Sequence, residues 1–276
     1  MSKIIDVITY NGEKEIWDLR YNVLSPFVDE FRIIEFDQTF SGKPKSPTFN
    51  QNWPKVKYYY VTEATWSKYE DLAKSSPNTQ YGQGAEHWVR EFCMKESIKD
   101  CLTDLKDDDI VFIGDCDEIW DSKCLKSLNE LCNLGIPVKL KLKVYSYYLN
   151  NLSNEQFWGT IIAKYKDIKN ECLNHARSFN CFRTSDNFGR HFTSLKDNLR
   201  KKLTDSYTKD SYASDLILDN LKDNIENSKD FLGRDFTYKI DETLWPQYLK
   251  DNRDKYKQLC LTKKLENSME NRKSTT

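Results

Sequence analysis

The feature that most constrains this chain is a series of short apolar runs separated by stretches of helical periodicity. Ile4 to Tyr10 is rich in β-branched residues and stops at Asn11-Gly12, after which Ile16, Trp17, Leu19 and Val23 recur at helical spacing. That pattern reads as strand, turn, helix. "FRIIEF" and "VKYYYVT" read as two further strands, parted by the loop "DQTFSGKPKSPTFNQNWP". From Glu86 to Leu102 the pattern is helical again. "DIVFIG" then supplies a buried strand, and "SKCLKSLNELCN" a helix striped by Leu125, Leu128 and Leu131. Runs without polar alternation need cover on both faces, so the first half predicts an α/β domain with a largely parallel sheet.

The second half reads differently. "PVKLKLKVYSYYLN" alternates as a half-exposed strand does, "FWGTIIAKY" suggests another strand, and the chain after Ser194 is helical and polar to about Asp230. No repeat or interdomain linker interrupts it, so one domain is expected over residues 1–261, with a polar tail over 262–276.

A chain of 276 residues can bury a sizeable core, and 42 basic against 43 acidic residues leave no nucleic-acid footprint. No window holds the roughly 18 apolar residues of a membrane span, and the N-terminal run is too short for a signal peptide, so the expectation is a cytoplasmic protein without a membrane span. The 8 cysteines include no C-x-x-C pair and read as buried or free thiols.

The chemistry concentrates in "DDDIVFIGDCDEIW", where a buried strand delivers the chain onto Asp115, Asp117 and Glu118. Ligands of open α/β sheets sit at the carboxyl ends of the strands, which is where Asp115 and Asp117 fall. The pair Asp107 and Asp109 precedes the strand and reads as solvated. Two carboxylates one residue apart can share Mg²⁺ or Mn²⁺ together with substrate phosphates. Helix capping by Asp121 or Ser122 is the bland alternative. A strand ending in Asp-x-Asp also resembles the nucleophile motif of haloacid dehalogenase-like phosphatases, but Ile119 stands where that family wants Thr or Val.

Over most of its length the sequence resembles glycosyltransferase family 17, the group named for the β-1,4-mannosyl-glycoprotein 4-β-N-acetylglucosaminyltransferases. The resemblance runs from "IIDVITYNGEKEIWDLRYNVLSPFVDEFRIIEFDQTFSGKPK" through "HWVREFCMKESI", "DDDIVFIGDCDEI", "FWGTIIAKY" and "FGRHFTSL" to "LWPQYLKDN", in the family's order. It implies a GT-A-like fold: a mixed, mostly parallel sheet flanked by helices, with a helical C-terminal segment. Residues 1–135 would bind the nucleotide sugar, and 136–261 would hold the acceptor and close the site. The implied activity is a metal-dependent, inverting transfer from a nucleotide-diphosphate sugar to a glycan hydroxyl, with UDP-N-acetylglucosamine the first donor candidate. A protein of the same fold that binds sugar or nucleotide without turnover is the alternative. The chain departs from the family where Arg190 replaces a Trp, where Met94-Lys95 stands for Gln-Arg, and around Ser206 to Asp210.

The roles follow from these two readings together. Asp117, Asp115 and His191 are the metal candidates. Tyr10, Asn11, Glu13 and Glu35 close the first two strands, where base and ribose would lie. Arg90 and Lys202 could face phosphates. Trp158 and Tyr147, the latter in a cluster with Tyr145 and Tyr148, offer flat faces to an acceptor sugar. Asp210 is the first candidate for the catalytic base and Glu118 the second, because a carboxylate drawn to a cation is a poor base.

Overall fold

The computed structural model describes residues 2–76, 85–196, 198–207, 212–227 and 229–262. Strands β1 (Ile4–Thr9), β2 (Glu30–Phe36), β3 (Val56–Val61) and β4 (Ile110–Asp115) are mutually parallel and stand in the order β3-β2-β1-β4. The sheet continues through β7 (Asn151–Lys164), β6 (Val138–Ser146), β8 (Phe182–Thr193) and β5 (Glu118–Trp120), and β9 (Tyr238–Ile240) adds to the outer end of β7. Strand β7 runs antiparallel to both β4 and β6, while β6 and β8 are parallel. The result is a mixed α/β sheet flanked by helices, the architecture that the family resemblance implies.

The helices are α1 (Lys14–Leu24), α2 (Glu63–Trp66), α3 (Glu70–Lys74), α4 (Glu86–Glu96), α5 (Leu128–Cys132), α6 (Leu173–Ser178), α7 (Leu199–Ser206), α8 (Asp215–Glu226) and α9 (Gln247–Asp251). Residues Ser122–Ser127, expected to open a helix, instead form a 3-10 turn ahead of α5.

The apolar runs explain the layering. On one face of the sheet Ile8, Phe31, Ile33 and Phe112 pack with Trp17 and Leu19 of α1. On the other, Ile5, Val7, Val111 and Ile113 pack with Phe92 and Met94 of α4. Each such side chain, fully buried, contributes about 1.5–3 kcal/mol. In register, Ile4 sits opposite Ile110 and Thr9 opposite Asp115, so the ends of β1 and β4 are flush.

The expectation that Asp107 and Asp109 are both solvated holds only for the first. Asp107 is exposed and pairs with Lys169 at 2.7 Å. Asp109 is buried, because its carboxylate accepts from the Lys3 and Lys106 amides at 2.9 Å each and fixes the start of β4. Most of the expected tail, residues 263–276, lies outside the described residues.

Candidate active site

Strand β4 ends at Asp115, the chain turns through Cys116 and Asp117, and it re-enters the sheet as β5 with Glu118 opposite His191 of β8. A clamp behind the turn dictates its shape. The buried Arg20 guanidinium of α1 grips both oxygens of Asp6 at 2.7 Å, and its remaining nitrogen donates to the carbonyls of Glu118 at 2.7 Å, Asp115 at 3.2 Å and Cys116 at 3.4 Å. With the carbonyls drawn inward, Asp115 and Asp117 line a cleft with Thr9, Tyr10, Asn11 and Glu13 of the β1–α1 turn. The cleft is open to solvent and has a cavity volume of about 110 Å³.

Cations converge on the two carboxylates. Lys202 of α7 donates to Asp117 Oδ2 at 2.8 Å and to Thr193 Oγ1 at 3.2 Å, and His191 Nε2 stands 3.4 Å from Asp117 Oδ1. Arg177 of α6 and Lys95 of α4 approach Asp115 Oδ2 at 3.5 and 3.8 Å, and Thr9 Oγ1 donates to Asp115 Oδ1 at 3.2 Å. Burial alone would raise both acids. For Asp115 the charges of Lys95 and Arg177 outweigh it, and for Asp117 those of Lys202 and His191 do, so both stay well below the usual carboxylate range. Burial likewise works against charge on Lys202 and His191, but Asp117 outweighs it and raises both. The His191 ring also stacks on Phe157 at 4.2 Å between centroids.

Glu118 lies differently from expectation. It is 1% exposed, its Oε2 accepts from Thr160 Oγ1 at 3.0 Å and the Asp115 amide at 3.3 Å, and the backbones of Gly114 and Gly159 close against its carboxyl group. Burial and the neighbouring Asp115 raise its pKa. The carboxyl is enclosed on these sides rather than presented to the cleft, where sequence reasoning had placed it as the second candidate for the base. It is part of the floor beneath the turn. Asp210, the other base candidate, lies outside the described residues.

Other expected site residues divide. Tyr10, Asn11, Glu13 and Lys202 line the cleft. The Asn11 amide donates to Glu13 Oε2 at 2.6 Å, and burial raises the Glu13 carboxyl. Glu35 is displaced from a ligand role, because it is wholly buried and accepts from the Thr48 and Phe49 amides, the Thr48 hydroxyl and the Tyr58 hydroxyl. It folds the 43–52 loop back onto β2. Arg90 is not among the residues that line the cleft and donates to the Phe40 carbonyl at 2.7 Å beneath Gly42, whose φ of +87° suits that close approach. Tyr147 offers no face to a sugar, being 1% exposed with its hydroxyl on the Lys229 carbonyl. Trp158 is half-buried, bonded through Nε1 to the Thr184 carbonyl and flanked by Lys141 and Arg183. The capping alternative applies to Asp121 alone, which accepts from the Lys123 amide at 2.9 Å.

The residues that sequence reasoning missed are Arg20, Lys95, Arg177 and Asp205. Lys95 had a signal, since it keeps a cation where the family has Arg. Asp205 of α7 accepts from Asn11 Nδ2 at 3.3 Å and from Lys201 at 2.5 Å, tying α7 to the β1–α1 turn.

The donor set fits a hard divalent ion. Asp115 and Asp117 present carboxylate oxygens to the cleft, and His191 Nε2 is close enough to Asp117 to share an ion with it. Among the described residues no three His, Cys, Asp or Glu side chains form a ready cage. Mg²⁺ and Mn²⁺ do not require one, because they complete their shells with water and substrate phosphate.

Residues 1–198 match the profile of glycosyltransferase family 17. This chain belongs to that family. The human β-1,4-mannosyl-glycoprotein 4-β-N-acetylglucosaminyltransferase is 26% identical over 117 residues, 42% of this chain and 22% of that protein. The rat protein of the same name is 26% identical over 42% of this chain and 21% of its own length. The family 17 chain described here thus spans about a fifth of the length of the curated relatives it matches. Among solved structures, Francisella tularensis 2-C-methyl-D-erythritol 4-phosphate cytidylyltransferase superposes with a TM-score of 0.37 at 11% identity, over 73% of this chain and 98% of that one. No helix among the described residues is long and apolar enough to cross a membrane.

Proposed function

We propose that this family 17 enzyme moves a sugar from a UDP-sugar, with UDP-N-acetylglucosamine the first candidate, to a glycan hydroxyl, with inversion and with dependence on Mn²⁺ or Mg²⁺. The observation that carries the reading is the convergence of Lys202, His191, Lys95 and Arg177 on Asp115 and Asp117, which line a cleft at the carboxyl ends of β1 and β4. Nucleotide ligands of open α/β sheets lie there. The curated relatives are named as N-acetylglucosaminyltransferases, which supports the choice of donor sugar.

Asp115, Asp117 and His191 would hold the divalent ion, which when bound neutralises a departing diphosphate. Lys202, Lys95 and Arg177 surround the same position and supply fixed positive charge that needs no reorganisation as the leaving group develops. Tyr10 and Asn11 line the part of the cleft where base and ribose fit. The acceptor hydroxyl loses its proton to a carboxylate as it attacks, and Asp210 is the proposed base.

The test is release of nucleoside diphosphate from a panel of UDP-, GDP- and dTDP-sugars with Mn²⁺, Mg²⁺ or chelator. The expected result is turnover of a UDP-sugar that stops on chelation and falls at least about 100-fold in Asp117→Asn. Undiminished turnover in chelator would overturn the metal dependence. Failure to bind any donor would overturn the reading as a whole.

A further inference from the structure

We infer that Arg20 is a positioning residue for the Asp115–Asp117 turn, and that the buried Asp6–Arg20 pair sets the affinity of that turn for its divalent ion and diphosphate. The inference rests on the function proposed above. Neither residue touches the cleft, and both are wholly buried.

Arg20 makes two kinds of contact. Nε and Nη2 form a two-pronged bond to Asp6 on β1, which is itself fixed by the Trp120 indole at 2.9 Å. Nη1 points the other way, into three carbonyls that belong to one turn. A planar guanidinium is rigid, so fixing one edge on Asp6 fixes where the other edge holds those carbonyls. With the carbonyls of Asp115, Cys116 and Glu118 held inward, and that of Asp117 on the Phe192 amide, the Asp115 and Asp117 side chains project toward Lys202 and the cleft. Lysine could keep the charge beside Asp6 but could not fork between Asp6 and the turn. A residue required only for stability would be served by the Asp6 contact alone. The three turn carbonyls are what assign Arg20 a task at the site.

Groups that orient ion ligands from behind typically govern affinity by about 10–100-fold when removed. In Arg20→Lys, the dissociation constants for Mn²⁺ and for UDP with Mn²⁺, measured by calorimetry on the full chain, should rise about 10–100-fold, and amide exchange at Asp115 to Glu118 should quicken while β1 stays protected. Arg32→Lys is the control. Arg32 is a second buried arginine, paired with Glu30 and Asp104 at the opposite end of the sheet, so its variant should lose stability with unchanged affinity and unchanged exchange in the turn. Asp6→Asn keeps a neutral partner for Arg20 and should shift affinity the same way by less, which provides the test should Arg20→Lys fail to fold. Wild-type affinity in a folded Arg20→Lys or Asp6→Asn protein would overturn the inference. If the unaltered protein binds neither Mn²⁺ nor UDP, the functional reading has failed. The exchange measurement then still decides whether Arg20 holds the turn.

Discussion

Gly159 provides a direct test of how tightly the floor of the site is packed. A Cβ there would lie 2.7 Å from Glu118 Cδ, 2.8 Å from its Oε1 and 2.7 Å from Phe157 Cε1, where ordinary contact begins at 3.4 Å. Glu118 has little room to retreat. Its Oε2 is held by Thr160 and the Asp115 amide, and on the far side it meets the backbone of Gly114. With three contacts this short, Gly159→Ala should destabilise the protein by about 2–3 kcal/mol, the upper part of the range for overpacking a filled interior. Two of the three close contacts belong to Glu118, so in a Glu118→Ala background the same substitution should cost about 1 kcal/mol, leaving a coupling of about 1–2 kcal/mol. Urea unfolding of the four proteins, followed by circular dichroism, measures the cycle. Costs that add to within about 0.5 kcal/mol would refute the packing argument. As a companion, if the enclosed carboxyl of Glu118 serves packing rather than proton transfer, Glu118→Gln should keep the proposed glycosyl transfer within about tenfold of wild type, and a loss of about 100-fold or more would return Glu118 to the list of bases.

Lys202→Met should weaken UDP binding about 10–30-fold, the loss of one charge facing a diphosphate at an effective dielectric near 20 after partial compensation by Lys95 and Arg177; an unchanged dissociation constant would remove Lys202 from the phosphate site. Its effect on stability should be small, since the Lys202 side chain is 43% exposed. The Arg32 hydrogen bond, with Lys57 beside it, holds the Asp104 carboxyl at about 2. Being depressed, it contributes stability present above the unfolded value near pH 4 and lost as pH falls toward about 2. With Asp104 54% exposed the contribution is under about 1 kcal/mol, and Asp104→Asn should flatten the urea midpoint across that window. A variant whose midpoint tracks wild type there would contradict the assignment. Finally, a thiol reagent on the folded protein should modify Cys181 first and Cys172 slowly, because Cys172 is pushed up to about 11 by burial, while the six buried cysteines react only on unfolding. Rapid labelling of Cys116 would contradict the enclosed turn.

The parallel half of the sheet was legible because its strands are short, mostly apolar runs, interrupted only by Asp6 in β1, Glu30, Arg32 and Glu35 in β2 and Lys57 in β3 among the charged residues. The antiparallel half was less so. Strand β8 carries Arg183, Asp186, Asn187, Arg190 and His191 among its twelve residues, and a strand that polar shows no alternation to read. Asp115 and Asp117 stood out because the strand before them fixes their position. The partners of Glu35 and Arg90 could not be foreseen, because Thr48, Phe49 and Phe40 come from the 37–52 loop, whose path no local pattern encodes. Arg177 sits on a helix of 6 residues with no periodicity to announce it, and reaches Asp115 only through the tertiary fold. Arg190, which replaces a family Trp, braces Asp121 at 2.8 Å and the Leu244 carbonyl, so that departure has a local structural use away from the metal candidates.

Strand β7 has a consequence for how the chain can be divided. Its inner end, Ile161–Lys164, completes the ladder of β4, and its outer end carries β9. A fragment stopping near residue 135 would keep the Asp115–Asp117 turn but leave Ile110–Ile113 as an open, apolar edge, the kind of surface that recruits other strands and aggregates. Glu118 would lose His191 and Thr160 together. The first and second halves of the chain thus meet in one sheet, and removing the inner end of β7 would expose the edge of the strand that delivers Asp115.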